Sequence, residues 1–503
     1  MEISKHFNFA KFVFEQSKAY PDKIAYIDDE EKITYKELEQ RSRGFAESLH
    51  NLGLTKEDRV MISLVDSIDL PVAILGCILG GYIAVLTNPR TIKTTIAHYV
   101  EISLAKVILT CKDSEEVITE IIKSSSHKPK TTLTLEQFKT HSQPSDYDPA
   151  TTIRDSAAYW LFTSGGSGEP KAVVHSHGAM YAVGYSLGLH TWKYKDTDLV
   201  FTAAKLFFAY GLCHSFECSL TAGCTSILME KFPTPSSMIA IIRKHNPTIF
   251  ATVPAGFVGI LNSGLDISNL GMRFCVSAGE MLPTAINEKW EQETDTTLYD
   301  LYGTTEFTGA LICNREGAVK RGTIGKPVYG YECEIRHADG SLCADGEVGD
   351  LYLKGPSMGI WYYNDLERSR KIFQGDWCFS GDKFIRDQEG YYTFVGRSND
   401  MFKVNANWVS PVEIENIIVK NELVQEVGVT GKEDDDGLMQ IHAFIKLKPN
   451  TVEPANFEYQ IKKLIRSNIE HYKTPKKVTV VNEIPKNANG KIQRYLLKFV
   501  EEN

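Results

Sequence analysis

The sequence predicts an α/β protein, with a large N-terminal body of layered sheets and helices and a small mobile α+β C-terminal lid. Three observations carry this expectation. Apolar strand-like runs alternate with helical patterns through most of the chain, which favours helices packed on parallel sheet. Near residue 397 the pattern changes to short strands separated by charged turns such as KEDDDG at 432–437. The length of 503 residues exceeds one ordinary domain, and 43% hydrophobic with 24% charged residues suits a globular chain. The expected division is 1–396 for the body and 397–503 for the lid.

Residues 33–53, ITYKELEQRSRGFAESLHNLG, place apolar side chains at helical spacing and end at a C-cap glycine, Gly53. RVMISLV at 59–65 reads as a strand. The nearly uncharged run 70–87, LPVAILGCILGGYIAVLT, has the length of a membrane span. Pro71 at its start and Gly80-Gly81 in its middle favour a buried helix, a turn and a buried strand instead. The polar stretch 124–150 is expected to be a surface excursion before a buried strand, AAYWLF, at 157–162. Thr234-Pro235 opens a helix that Pro247 closes. In the lid, Ser410-Pro411-Val412-Glu413 reads as an N-cap, a proline in the first turn and a capping-box glutamate. An amphipathic helix is expected near 455–470.

Composition excludes several classes. A formal charge of −9 argues against non-specific nucleic-acid binding, which draws on clustered positive charge. Ten cysteines form no CxxC pair, so neither a zinc knuckle nor a dense disulfide framework is expected. Free, mostly buried thiols in a reducing compartment fit better. The N-terminal MEISKHFNFAKF lacks the apolar core and cleavage site of a signal peptide, so a cytoplasmic protein without a membrane span is expected.

Four segments carry candidate chemistry. Thr163-Ser164-Gly165-Gly166-Ser167-Gly168-Glu169-Pro170-Lys171 follows the strand at 157–162. Its glycines let backbone N–H groups crowd around an anion, and hydroxyls with Lys171 complete a phosphate cradle. Its lysine spacing is not that of a P-loop, and a flexible surface loop has the same composition. Leu301-Tyr302-Gly303-Thr304-Thr305-Glu306 offers an aromatic to stack a base, hydroxyls for a phosphate and a carboxylate for Mg2+. Taken alone it equally describes a strand end with a capped turn. Ser380-Gly381-Asp382, with Gly396-Arg397, supplies a carboxylate for a ribose diol beside an arginine, although Asp in a Gly turn is usually turn chemistry. Finally, IPKNANGKIQR at 484–494 presents Lys491 from a glycine turn as a point charge, where a basic surface loop is the commoner reading.

Taken together and in this order, the segments resemble the AMP-forming acyl-CoA ligases, relatives of peptide-synthetase adenylation domains and beetle luciferases. TSGGSGEPK resembles that family's phosphate loop, LYGTTE its adenylate motif, FSGD its ribose motif, GRSNDMFKVNANWVSPVEIE its hinge and thioester loop, and PKNANGKIQR its lysine motif. The run Ala204–Leu212, AKLFFAYGL, and Lys403-Val404 followed by Trp408-Val409-Ser410-Pro411 are most similar to the benzoate-type aryl-CoA ligases.

The resemblance implies a two-step reaction. A carboxylic acid attacks the α-phosphate of ATP to give an acyl-adenylate and pyrophosphate, and the thiol of CoA then displaces AMP. It implies that Lys491 bridges the acid and the α-phosphate, Glu306 holds Mg2+ and Thr305 contacts the α-phosphate. Thr163, Ser164, Gly165, Gly166, Ser167, Gly168 and Lys171 would line the pyrophosphate. Gly279, Glu280, Tyr302, Gly303 and Thr304 would surround the adenylate, with Asp382 and Arg397 on the ribose. The acyl pocket would be walled by Phe208, Ala209, Tyr210, Ala278, Gly309 and Ala310, with Gly279 and Gly303 contributing. The lid would rotate about Asn399, withdrawing Lys491 and bringing Lys403, Ala406 and Trp408 over the thiol arm. Arg90 and Lys476 would meet the CoA phosphates, with ordinary solvated charge an equal reading.

Four positions depart from the family pattern. Gly166 removes a hydroxyl from the phosphate loop, Asn399 replaces the hinge aspartate, Ala406 replaces a glycine, and Gly309 stands where benzoate-type enzymes commonly carry histidine. An active enzyme on a benzoate-like acid is expected, with Gly309 admitting a ring larger than benzoate. The competing expectation is a stand-alone adenylating enzyme that loads an aryl or amino acid onto the phosphopantetheine of an acyl or aryl carrier protein. The absence of Asp from 207–216 weakens its amino-acid form.

Overall fold

The computed structural model describes residues 3–163, 170–397, 400–404, 407–434, 439–486, 492–497 and 499–500. The chain divides into two compact units, Met1–Cys333 with Leu353–Phe379, and Glu334–Tyr352 with Ser380–Asn503. The position 397, expected to open the lid, lies within the second unit.

The first unit is built on two large sheets. One holds nine strands in the order 326–327, 310–313, 298–303, 274–277, 249–252, 199–202, 225–227, 24–27 and 32–34. The other holds seven, in the order 361–362, 171–176, 157–163, 83–86, 59–63, 107–110 and 131–133. The central pairings are parallel, as between Arg59–Ser63 and Ile83–Leu86, and antiparallel pairs close both edges of the first sheet and the 361–362 edge of the second. Both faces of the sheets are covered. Val60 and Ile62 join a core with the helices Phe9–Ser17, Tyr35–Asn51 and Asp69–Leu79, while Met61 between them joins a core on the opposite face with Ile83, Val85 and Trp160. This alternation is the period of two that a strand imposes.

Local signals explain the elements. The helix Tyr35–Asn51 starts at Thr34, whose hydroxyl accepts from Glu37 N while the Glu37 carboxylate accepts from Thr34 N at 2.8 Å. It ends before Gly53 at φ +75°. The apolar run 70–87 is a buried helix, Asp69–Leu79, a Gly80-Gly81 turn and a buried strand, Ile83–Leu86. Among the described residues no helix is long and apolar enough to cross a membrane. All ten cysteines are free and buried.

The stretch 124–150 is mostly exposed or half-buried, as a surface excursion implies, and part of it is regular. Thr131–Leu133 adds an edge strand beside Val107–Thr110, and Leu135–His141 is a helix opened by a second capping box, Thr134 with Gln137. Phe138 is the reason, since it is wholly buried edge-on against Phe45 with ring centroids 4.9 Å apart.

In the second unit, residues up to Arg386 pair antiparallel with Tyr392–Arg397, and Phe402–Val404 pairs with Asn407–Val409. A three-stranded sheet, 424–433, 439–447 and 477–480, carries the helices Pro411–Ile418 and Phe457–Arg466 on a core that includes Ile414, Ile418, Val429, Ile441, Phe457 and Ile461. Ser410 caps the first helix by accepting from Glu413 N at 3.4 Å. The Glu413 carboxylate bonds to Lys473 at 2.8 Å, the partner found in place of the expected reciprocal capping bond.

Candidate active site

The adenylate-like segment lies where a sheet runs out. Strand Leu298–Gly303 pairs antiparallel with Ala310–Cys313, and a single 3-10 turn, Thr305–Phe307, joins them. Gly303 is required by close approach, because a Cβ there would lie 2.5 Å from the Gly309 carbonyl oxygen. The turn aims Glu306 and fixes it at two points. Its backbone carbonyl accepts from Gly359 N at 2.7 Å, and its Oε1 accepts from the Tyr362 hydroxyl at 2.6 Å. Burial and the adjacent Glu306 carboxylate both push the Tyr362 phenol up, so it stays a proton donor. Tyr302 and Thr304 are half-buried on either side of the exposed Gly303.

The phosphate-loop segment occupies a hairpin position in the same unit. Strands Ala157–Thr163 and Lys171–Ser176 pair antiparallel, with Thr163 opposite Lys171. Ser164, Gly165, Gly166, Ser167 and Gly168 lie outside the described residues. The short strand Trp361–Tyr362 adds to this hairpin at Val173 and Val174, so the residue that holds Glu306 is anchored on the strand that leads out of the loop. A Cβ on Gly359 would meet both Val173 and the Glu306 carbonyl, which shows how tightly the two motifs are joined.

The acyl-pocket candidates come from three elements. Phe208 is extended and starts a helical segment, Ala209–Leu212, that widens into a π-helical turn, Cys213–Cys218, a form frequent at functional sites. The Tyr210 hydroxyl donates to the carbonyls of Thr252 (3.3 Å) and Val276 (2.8 Å), pinning the aromatic wall to two strand ends. Ala278 is buried just beyond the second strand, and Gly279 follows at φ +93°, a conformation glycine adopts without strain. Glu280 is exposed. Asp300, whose carboxyl burial pushes up to about 8, accepts from Leu282 N and holds this segment to the strand that leads into Tyr302. Gly309 and Ala310 are buried, and a Cβ on Gly309 would stand 2.8 Å from Val183 Cγ1 and 3.5 Å from Cys213 Sγ.

In the second unit Asp382 and Arg397 are opposite each other in antiparallel register, and Arg397 Nε lies 3.1 Å from the buried Asp382 carboxylate. Lys403 and Trp408 are also cross-strand neighbours. Asn399, Ala406 and Lys491 fall outside the described residues. Lys476 is exposed. Arg90 bonds to Asp113 at 2.6 Å and to the Glu230 carbonyl at 2.8 Å, so its guanidinium is already engaged.

Reading by motif missed Tyr362, Asp300 and a buried polar cluster of Tyr159, His175, Glu217 and Thr308. Tyr362 has no local signal, since its role depends on a strand pairing distant in sequence. Glu217 did have one. It is a single acid within the apolar run 212–220, and acids are almost never buried unpaired.

Residues 13–363 match the AMP-binding enzyme family model, and residues 413–491 match the AMP-binding enzyme C-terminal domain model. The benzoate–CoA ligase of Thauera aromatica is 34% identical over 494 residues, which covers 95% of this chain and 92% of that protein. A crystal structure of a benzoate CoA ligase from Burkholderia xenovorans superposes with a TM-score of 0.89 at 35% identity, over 98% of this chain and 100% of that one. The anthranilate CoA ligase in complex with anthranoyl-AMP gives a TM-score of 0.94 at 28% identity, over 99% and 98% of the two chains. With most of its length matched in sequence and in fold, this chain belongs to the AMP-binding enzyme family.

Proposed function

We propose that this chain is an AMP-forming acid–thiol ligase that activates a benzoate-like acid with ATP and transfers it to CoA. The observation that carries the reading is the placement of Glu306. Its carboxylate projects from a turn clamped by Gly359 and Tyr362, and Tyr362 sits on a short strand added to the hairpin that pairs Thr163 with Lys171. Adenylate formation needs this combination, because negative charge grows on the α-phosphate and the leaving pyrophosphate while little covalent chemistry falls to the protein.

The residues divide the work accordingly. Thr163, Lys171 and the intervening loop take the β- and γ-phosphates, Thr305 the α-phosphate, and Tyr302 the adenine face. Asp382 accepts from the ribose hydroxyls with Arg397 beside it, and Lys491 neutralises the acid and α-phosphate as they join. Glu306 is a hard oxygen donor with one oxygen oriented by Tyr362, which fits Mg2+. When bound there, the ion supplies charge neutralisation to the phosphates. Tyr210, Ala278, Gly303, Gly309 and Ala310 form an apolar slot for a flat ring. The named relatives act on benzoate and anthranilate, and the small residues along this slot support an acid of that class.

The decisive experiment is pyrophosphate release from MgATP across benzoates, aminobenzoates, cinnamates and medium-chain fatty acids, with and without CoA. The expected result is multiple turnovers with one aromatic acid only when CoA is present. Stalling after about one turnover despite CoA would identify a carrier protein as acceptor, and silence on every acid would overturn the reading.

Gly309 sets the depth of the slot. Gly309→His is expected to favour unsubstituted benzoate over ring-substituted acids in kcat/KM. Because its Cβ must displace Val183, it also costs about 1–3 kcal/mol of stability. Competition assays and thermal unfolding of the variant test both effects, and an unchanged acid preference would remove Gly309 from the pocket.

A further inference from the structure

Beneath the turn that carries Glu306 lies a connected set of buried polar side chains with no part in the chemistry above. Tyr159 and His175 are partners across the hairpin strands, and their rings stack with centroids 4.8 Å apart. Thr308 Oγ1 lies 2.7 Å from the Tyr159 hydroxyl and 3.3 Å from His175 Nδ1, and Tyr159 donates to Glu217 Oε1 at 2.9 Å. Tyr159, His175 and Glu217 have no exposed surface, and Thr308 is 2% exposed. The Tyr159 proton is committed to Glu217, so the Thr308 hydroxyl donates to Tyr159. Among the described residues no cation pairs with Glu217, and burial pushes its carboxyl well above the usual range. Burial likewise holds the His175 imidazole neutral, with its pKa lowered to about 3, and the ring is hydrogen-bonded to the Thr305 backbone.

Thr308 is the member that directly follows the turn in the chain. Its φ of +60° and ψ of −39° are an outlier for a β-branched residue. Such a conformation persists only where the surroundings over-determine it, and such outliers cluster at functional sites. Here its N–H donates to the Thr305 carbonyl at 3.2 Å and closes the turn Thr305–Phe307, while its hydroxyl is captured below. The other end of the set, Glu217, belongs to the wide helical turn Cys213–Cys218 that continues from Tyr210.

We propose that Thr308, Tyr159, His175 and Glu217 are positioning residues that fix where Glu306 presents its carboxylate to MgATP and that tie the Glu306 turn to the helix bearing the acyl-pocket wall. This rests on the reading of Glu306 above. Linked buried hydrogen bonds hold their members in place more firmly than separate contacts do, and modest displacement of a catalytic group costs large factors in rate.

The test uses the full chain carrying Tyr159→Phe, Thr308→Val, Thr308→Ser and, as reference, Glu306→Gln. Calorimetric titration with ATP in the presence and absence of Mg2+ is the direct readout. Tyr159→Phe and Thr308→Val are expected to weaken MgATP binding roughly three- to tenfold, the worth of one lost hydrogen bond, while metal-free ATP binds as in the wild type. Their kcat for pyrophosphate release falls about 10- to 100-fold with little change in KM for the acid. Thr308→Ser keeps the hydroxyl and restores both values. Should Thr308→Val fail to fold, Tyr159→Phe, which removes a single oxygen, carries the test.

Wild-type MgATP affinity and kcat in Tyr159→Phe, or a loss of thermal stability alone, would overturn the proposal as a purely structural role predicts. Full activity in Glu306→Gln would instead remove the reading of Glu306, and this inference with it. An inactive Glu306→Gln beside fully active Tyr159→Phe and Thr308→Val would sink the positioning role alone.

Discussion

Lys491→Ala is expected to lower acyl-adenylate formation by roughly 10²- to 10³-fold while leaving CoA thioester formation from a supplied acyl-adenylate nearly intact. The asymmetry follows from where charge develops. In the first step a carboxylate and an α-phosphate, both anionic, must approach within bonding distance, and a lysine ammonium is a compact charge with three donors able to touch both. In the second step the nucleophile is a thiol and the leaving group is AMP, so the same cation has no pair of anions to join. The flanks of Lys491 are firmly held. Lys486 pairs with Ile492, Gln493 N donates to the Pro485 carbonyl at 2.8 Å, and Ile492 packs against the cluster of Phe444, Val481, Ile484 and Leu497. Arg494 then grips Glu415 at 2.6 and 3.2 Å and Asp400 at 3.0 Å. These contacts do not involve residue 491, so the variant should unfold near the wild-type temperature. Pyrophosphate release and thioester formation from synthetic acyl-adenylate, measured separately, decide the matter. An equal loss in both would withdraw the assignment.

The parts of the site that were legible in the sequence are those written in consecutive residues. The candidate motifs at 163–171, 301–306, 380–382 and 484–494 are runs of consecutive residues and can be picked out before any packing is known, and at 301–306 the structure has the strand end and turn that the sequence allowed. The helix at 35–51 was readable for the same reason, through its apolar spacing and Gly53. What escaped was written across the chain. Tyr362 reaches Glu306 only because Trp361–Tyr362 adds to strand Lys171–Ser176, and nothing in the residues around 362 announces that pairing. The helix Leu135–His141 was hidden by its polar surroundings, since a single buried phenylalanine is too little apolar pattern to register. The network around Thr308 combines four distant positions whose common feature, burial beneath one turn, exists only in the fold.

Glu306→Gln separates charge from shape at the centre of the proposed site. Glutamine has the same outline and keeps a carbonyl oxygen that accepts from Tyr362, and the backbone bond from Gly359 N to the Glu306 carbonyl is untouched. The turn should therefore hold, and thermal unfolding should change little. The lost negative charge is another matter. A neutral amide is a much poorer ligand for a hard divalent cation, whose oxygen donors are chiefly carboxylates and phosphates. Adenylate formation is expected to fall roughly 10²- to 10³-fold, the scale seen when one preorganised electrostatic contact to a transition state is removed. Tyr362→Phe keeps the charge and removes only its orienting donor, so it should cost less, about 10- to 100-fold, near the worth of one hydrogen bond to a charged group. The ranking is the sharp part of the expectation. Were Tyr362→Phe to cost as much as Glu306→Gln, the phenol would itself be the group on which the phosphates depend, and Glu306 would serve merely to hold it in place.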